Sequence, residues 1–169
     1  MKPVKKLSFT SLMAAFALIL LFAAGFLSTL SITLAVFAGL LVAVVFVECG
    51  RTYAFLCYLT DAILSFLFVT DKSVALMYLL MFGLYPIFKS FAESARTVVF
   101  EYALKFLFCN VMLVLLYFLV QAFAALPVFP DIPFVYPITL VFLNAAFFIY
   151  DLGFSKLVSL YRHFRSRKK

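Results

Sequence analysis

The chain has 169 residues, of which 67% are hydrophobic and 12% charged, and its mean hydropathy is +1.19. A soluble domain carries about 25% charged residues, so this composition excludes a soluble fold and leaves no room for a separate soluble catalytic domain. The net charge of +7 does not indicate nucleic-acid binding, because the basic residues gather at the two ends of the chain, as cytoplasmic flanks beside anionic lipid headgroups do. We predict one membrane domain over 1–169, with lipids as neighbours and no nucleic-acid partner.

The first apolar stretch predicts two helices. Between Leu7 and Val47 there is no Lys, Arg, Asp or Glu. A single helix through this stretch would be roughly 60 Å long at ~1.5 Å per residue, about twice the hydrocarbon thickness. The chain must therefore fold back, and Gly25, followed by Ser28, Thr29 and Ser31, marks the place.

The remaining chain repeats this pattern of apolar stretches between short charged clusters. We expect an all-α, polytopic bundle of six membrane-spanning helices, because helices satisfy their own backbone groups within a bilayer. Prolines at 127, 130 and 133 predict an irregular loop before the last helix, and Pro137 suits its first turn. The predicted spans are 8–27, 30–47, 52–69, 73–91, 97–124 and 134–158.

The distribution of positive charge predicts the orientation. Both ends of the chain are basic, which places both on the cytoplasmic side and requires an even number of spans. With six spans, the inner loops carry Arg51, Lys89 and Arg96, whereas the outer loops carry only Lys72. We therefore expect a multi-pass protein of the cell membrane.

Asp61 lies near the middle of the third predicted span. A charged side chain at that depth costs about 2.5–3.5 kcal/mol on insertion scales unless it has a partner or is neutral. Two interpretations stay open: a ligand for substrate or proton, or a structural hydrogen bond at a shallower depth. Asn110 and Asn144, in the fifth and sixth spans, are candidate pocket residues or an interhelical hydrogen-bonding pair.

The outer side carries the polar groups that a compound arriving from outside would meet. A few polar groups above a Phe-rich wall suit a small polar or aromatic compound. We take Tyr117, Gln121 and Asp131 as substrate-binding candidates together with Asp61, Asn110 and Asn144. Other polar residues on this side are Asp71, Lys72, Tyr78 and Tyr136.

Charged pairs mark the opposite, cytoplasmic side. Lys89 and Glu93, and likewise Glu101 and Lys105, are four residues apart and share a helix face, and Arg96 follows Glu93 by three. Each pair can neutralise itself. We expect either a solvated face or a docking surface for a cytoplasmic partner.

The residues that catalysis and metal binding usually require are scarce. The chain has three cysteines without a CxxC pair and one histidine, His163, in the basic tail, which is not a metal-ligand set. No GxSxG, HExxH or P-loop motif occurs. We predict no catalytic residues, no metal and no cofactor, and hence a protein that is not an enzyme.

Six short helices in under 180 residues, a basic start and a first helix with small residues four apart resemble the substrate-binding S components of energy-coupling factor (ECF) transporters. The matching residues are Ser11 and Ala15, within Ser11-Leu-Met-Ala14-Ala15-Phe-Ala17. In that family, small residues let the first helix pack closely on a transmembrane coupling subunit. Ser11 stands where the family usually has Ala.

This resemblance implies a high-affinity binder that captures a vitamin or similar micronutrient from outside. Its partners would be an integral coupling subunit and two cytoplasmic ATPase subunits, and its interface residues would be Ser11 and Ala15. The family occurs in bacteria and archaea, which implies the cell membrane.

The chain is also similar in architecture to MreD-like cell-shape factors, which act as membrane scaffolds in cell-wall elongation and transport nothing. The two roles predict different structures. A transporter component should have a closed-ended pocket between the outer halves of spans four to six, lined by converging polar groups. A scaffold should have a filled core and an exposed face of small residues.

Overall fold

The computed structural model describes residues 2–95, 97–124 and 135–166, which are helical apart from short turns and contain no strand. The predicted all-α fold is confirmed for these residues. In chain order, the elements are α1 (Pro3–Phe26), α2 (Ser31–Cys49), α3 (Arg51–Phe68), α4 (Lys72–Met77), a π-helical segment (Tyr78–Phe82), α5 (Tyr85–Ala92), α6 (Val98–Ala124) and α7 (Val135–Ser166).

Five helical stretches within the described residues are long and apolar enough to cross a membrane: Pro3–Phe26, Ser31–Cys49, Lys72–Ala92, Val98–Ala122 and Ile138–Tyr161. Such helices indicate a membrane-embedded protein. α3, which contains Arg51 and Asp61, is not among the five. α1 begins five residues before the predicted start at 8, because Pro3 occupies its first turn, where proline favours helix initiation.

The predicted span over 73–91 corresponds to the stretch Lys72–Ala92, which consists of α4, the π-helical segment and α5 instead of one regular α-helix. Asp71 caps the N-terminus of α4, where its side chain accepts from the Ser73 N–H at 2.9 Å. The π-helical segment closes with a bond of 2.8 Å from the Gly83 N–H to the Tyr78 carbonyl. α5 then starts again around Pro86, which has no N–H to donate to the Phe82 carbonyl.

The first three helices pack together through small side chains. Small residues let helix backbones approach closely in a bilayer, where the hydrophobic effect does not drive helices together. α2 also contacts α4, the π-helical segment, α5 and α7. Buried small residues of this core include Ala14, Ala17, Ala24, Ala35, Ala38, Ala54 and Ala62.

α4 to α7 form the other half of the bundle. Near α5, the core consists of Tyr85, Phe108 and Phe147, and near α4 it consists of Leu76, Leu80 and Leu116. Large apolar side chains also cover the outer surface of the described helices, as expected where a helix faces lipid. They include Phe16, Phe22, Phe118, Val141 and Ile149.

Two long-range contacts bring the beginning of α1 and the late part of α7 to the same end of the bundle. The Lys6 ammonium, early in α1, donates to the Cys49 carbonyl at 3.3 Å. The Tyr161 hydroxyl, late in α7, donates to the Glu48 carboxylate at 3.0 Å. The beginning of α1, the end of α2 and the late part of α7 therefore lie together.

Candidate functional site

A buried network of charged side chains joins α5, α6 and α7, and we take it as the candidate functional site. Asp151 of α7 is its centre: one carboxylate oxygen accepts from Tyr85 and Lys89 of α5, and the other accepts from Lys105 of α6 at 3.1 Å. The exposed fractions of Lys89, Lys105 and Asp151 are only 5%, 3% and 3%. We call these three residues and Tyr85 the ion network.

Helical spacing sets the members of the ion network on facing surfaces. Tyr85 and Lys89 are four residues apart on α5, so they share one face of that helix. On α7, Ser155 follows Asp151 by four, and its hydroxyl accepts from Lys89 at 2.8 Å. On α6, Glu101 precedes Lys105 by four and accepts from it at 2.6 Å.

Aromatic rings pack against Tyr85 and Lys89 of the ion network. The Tyr85 ring contacts Phe108, Phe147 and Phe154 with centroid separations of 5.2–6.1 Å. The Lys89 ammonium lies 5.7 Å from the Tyr85 ring centroid and 5.8 Å from that of Phe154, within cation–π distance. The network is therefore compensated by charge, by hydrogen bonds and by ring faces.

The burial of these lysines corrects one prediction. Lys89 and Lys105 were expected on a solvated or docking face, each neutralised within its own helix. Both intrahelical pairs do form, at 3.4 Å between Lys89 and Glu93 and 2.6 Å between Lys105 and Glu101. The lysines themselves are buried, however, because Asp151 of a third helix provides a shared carboxylate. Arg96 lies outside the described residues.

Asp151 itself was absent from the residues predicted from the sequence. A signal for it existed, because it lies inside the apolar stretch predicted as 134–158, where any ionisable residue is costly. Its partners Lys89 and Lys105 lie on other helices. Residue spacing within a single helix therefore does not predict these contacts.

A cleft of about 340 Å³ lies beside the ion network, between α2, α5 and α7. Lys89, Glu93 and Ser155 contribute to its polar wall, and Phe46 and Phe154 contribute apolar surface. Its volume is at the lower end of the range of small-molecule sites. It opens at the end of the bundle that holds both ends of the chain. Further hydroxyl groups on its wall are Ser90, Ser94 and Ser159.

Asp61 occupies a second, separate polar position. It is fully buried in α3, and its Oδ2 lies 3.3 Å from the Tyr78 hydroxyl and 3.5 Å from the Cys57 thiol. Its Oδ1 has no hydrogen-bond partner. The hydrogen-bond partners of Asp61 are Tyr78 and Cys57, and neither belongs to the ion network, so these are two sites.

Asn110 and Asn144 pair with each other across α6 and α7. Each side-chain amide donates to the other's oxygen, at 3.0 and 3.2 Å, and each also donates to a carbonyl of its own helix at 2.8 Å. The interhelical hydrogen bonds that the sequence suggests for these two residues are therefore present in the structure. A role in binding substrate stays a prediction.

The outer candidates lie apart from the cleft. The Gln121 amide donates to the Tyr117 hydroxyl at 2.9 Å along α6, where Gln121 is exposed and Tyr117 is half-buried. Asp131 lies outside the described residues. The structure thus joins two of these residues to each other but describes no pocket that contains them.

Ser11 and Ala15, the predicted interface residues, both lie on the exposed side of α1, away from its packed face. The Ser11 hydroxyl donates to the Leu7 carbonyl of the same helix at 3.1 Å. This part of α1 is available for contact with lipid or with another protein.

Among the described residues, no group of three or more His, Cys, Asp or Glu side chains is placed to hold a metal ion. Comparisons with protein-family models, with curated proteins and with solved structures give no match to this chain.

Proposed function

We propose that this chain is a six-span protein of the bacterial cell membrane with both ends in the cytoplasm. Five of the helical stretches have the length and composition of spans, and α3 would be the sixth. The contacts of Lys6 with Cys49 and of Tyr161 with Glu48 support an even number of crossings, because they bring both ends of the chain to one end of the bundle. The bias of lysines and arginines supports the cytoplasmic side for that end.

Within that membrane, the chain binds a small polar solute and serves as the substrate-binding S component of an ECF-type importer for a vitamin-like micronutrient. The observation that carries this proposal is the buried ion network beside an open cleft. Charged groups within membrane-spanning helices are costly and usually mark substrate or ion pathways. A bundle held together by packing alone would need neither lysine inside it.

The cleft would be the cytoplasmic side of the solute pathway in this orientation. Its wall offers a cation, a carboxylate and several hydroxyls, which suit a solute that carries both donors and acceptors. Tyr117, Gln121 and Asp131 remain the candidates for capture on the outer side. The chain would bind and release solute, and the work of transport would come from its ATPase partners.

The exposed face of α1 is the proposed contact with the integral coupling subunit. Ser11 and Ala15 are small, exposed and one helical turn apart, so another helix could approach the α1 backbone closely there. Two cytoplasmic ATPase subunits would join through that coupling subunit.

Replacement of Ala15 by leucine tests this assignment, with Ala103→Leu as the matched control. Both alanines are exposed on long apolar helices, so both variants should fold and insert alike. We expect A15L to lose at least tenfold in co-purified coupling and ATPase subunits, whereas A103L should retain them. If wild-type protein co-purifies with neither ATPase subunits nor a retained small molecule, the importer assignment is wrong.

A second candidate function is a membrane scaffold of the MreD-like type. It is favoured by the filling of the space between α4 and α6 with Leu76, Leu80 and Leu116, with Met77 and Met112 packed against them. That filled region lies where a transporter was predicted to have its pocket. A scaffold would co-purify with cell-wall elongation proteins in nanodiscs and would hold no solute by mass spectrometry.

A further inference from the structure

Asp61 is the buried ionisable side chain that neither the ion network nor the cleft uses. Its exposed fraction is 0%, and it lies at the middle of α3. The ion pairs between described residues all involve Lys89 or Lys105, and none involves Asp61. An ionised carboxylate here would have no compensating cation.

The groups around Asp61 are weak and neutral hydrogen-bonding partners. They are the Tyr78 hydroxyl at 3.3 Å and the Cys57 thiol at 3.5 Å, and the Tyr58 ring lies beside Tyr78. The Tyr58 hydroxyl donates to the Leu79 carbonyl at 2.8 Å instead. The buried and half-buried cations of the helices packed against α3 have other partners: Lys6 at Cys49, Lys72 at Phe66 and Val69, and Lys89 at Asp151. Lys5 of α1 is exposed.

Two such contacts do not compensate a buried negative charge. Burial of an isolated carboxylate is so unfavourable that the group usually becomes neutral, and a carboxylate accepts at both oxygens whereas Oδ1 has no partner. A neutral acid removes the uncompensated charge, and the oxygen left without a partner is then uncharged, so its burial costs less. Tyr78 and Cys57 stand as donors to Oδ2. When Oδ2 carries the proton, one of these two contacts reverses and Oδ2 donates to that hydroxyl or thiol, while Oδ1 is an uncharged carbonyl oxygen.

We propose that Asp61 is a proton-binding site of the bundle, occupied at neutral pH. The inference holds whether the chain is an importer subunit or a scaffold, because it rests on the surroundings of Asp61 alone.

Asp61 contacts the π-helical segment that interrupts the fourth predicted span, because its partner Tyr78 is the first residue of that segment. Tyr78 starts the π-helical segment and accepts the closing bond from Gly83. A Cβ atom on Gly83 would lie 2.8 Å from both the Tyr58 and Tyr78 rings, so these rings are packed directly on that glycine. Loss of the proton would place a charge against this break, and π-helical turns occur often at functional sites.

Infrared spectroscopy of the full chain in nanodiscs tests the proposal. At neutral pH, the difference spectrum between wild type and Asp61→Asn should show loss of a C=O band of a protonated carboxylic acid. Asp71→Asn is the control, because Asp71 is exposed and caps α4. D71N should lose carboxylate bands instead.

Two outcomes would overturn the proposal. One is a D61N difference spectrum that shows loss of carboxylate bands at neutral pH. The other is failure of D61N to fold, because asparagine has nearly the shape and the neutrality of the protonated acid, and such failure would mean that the negative charge is required. As a second measurement, the melting temperature of wild type should fall with rising pH more than that of D61N, since only wild type must lose this proton.

Discussion

Asp151 determines, at the residue scale, whether two buried lysines are tolerated. Its two oxygens accept from both lysines and from Tyr85. Without it, Lys105 would still have Glu101 at 2.6 Å. Lys89 would keep the neutral Ser155 hydroxyl, but its remaining carboxylate would be Glu93, whose side chain is 47% exposed. The two lysines therefore depend on Asp151 to different degrees, and loss of this carboxylate affects Lys89 more than Lys105.

We predict that Asp151→Asn destabilises the protein by about 3–5 kcal/mol, because it leaves a buried cation without its carboxylate. The matched control is Glu93→Gln, which removes a half-exposed partner of the same lysine and should cost about 0–1 kcal/mol. Thermal unfolding in detergent measures both. In the D151N background, Lys89→Met should recover part of the loss, and a further loss would contradict the account.

The hydrogen-bonded pair of Asn110 and Asn144 contributes less to the stability of the protein than Asp151 does. Each amide also donates to a carbonyl of its own helix, so the asparagine that remains after mutation of its partner keeps one hydrogen bond. We expect Asn144→Leu to cost about 0.6–1.7 kcal/mol, and Asn110→Leu in the same chain to add little more. Gln121→Leu, on the exposed face, should stay within about 0.5 kcal/mol of wild type. Additive losses for the two asparagines would show that they do not interact.

At the scale of elements, the close approach of α2 to the broken helix depends on Gly39. A Cβ atom at this position would lie 2.3 Å from the Phe82 carbonyl oxygen. Phe82 is four residues before Pro86, so its carbonyl is the one that a regular helix would have bonded to residue 86. The absence of a side chain on α2 leaves room for that carbonyl.

Gly39→Ala should therefore be destabilising by about 1–3 kcal/mol, the usual cost of overpacking. Gly153→Ala is the matched control, because nothing lies within 4 Å of its added Cβ. That variant should be neutral or gain about 0.5–1 kcal/mol, since glycine is unfavourable inside a helix. Equal melting temperatures for both variants would mean that the contact with Phe82 does not constrain α2.

The extent of the helices follows from the sequence, but their breaks and contacts do not. Apolar stretches of about 20 residues and their charged flanks predicted α1, α2, α6 and α7 to within a few residues at most ends, because a bilayer imposes that length. The break near Pro86 depends on Gly39 of α2, which leaves room for the Phe82 carbonyl. The burial of Lys89 and Lys105 depends on α7, some 46–62 residues away, which spacing within one helix does not reveal.

The described helices present a largely apolar surface, and the ion network lies toward one end of the bundle. The described part of the chain places the ion network, the cleft and both chain ends at that end, and the short turn after α1 at the other. Packing of Leu76, Leu80 and Leu116 fills the region between α4 and α6. Access of solute would therefore differ between the two faces of the membrane.

Cysteine labelling in intact cells tests the orientation on which this asymmetry depends. Ser28→Cys, in the exposed turn between α1 and α2, should react with a membrane-impermeant maleimide added from outside. Lys2→Cys and His163→Cys should react only in inverted vesicles, since both belong to the proposed cytoplasmic end. The wild-type chain is a suitable background, because Cys49, Cys57 and Cys109 are buried. Reaction of the two end positions on opposite faces would require an odd number of spans, and the cleft could then no longer be assigned to the cytoplasmic side.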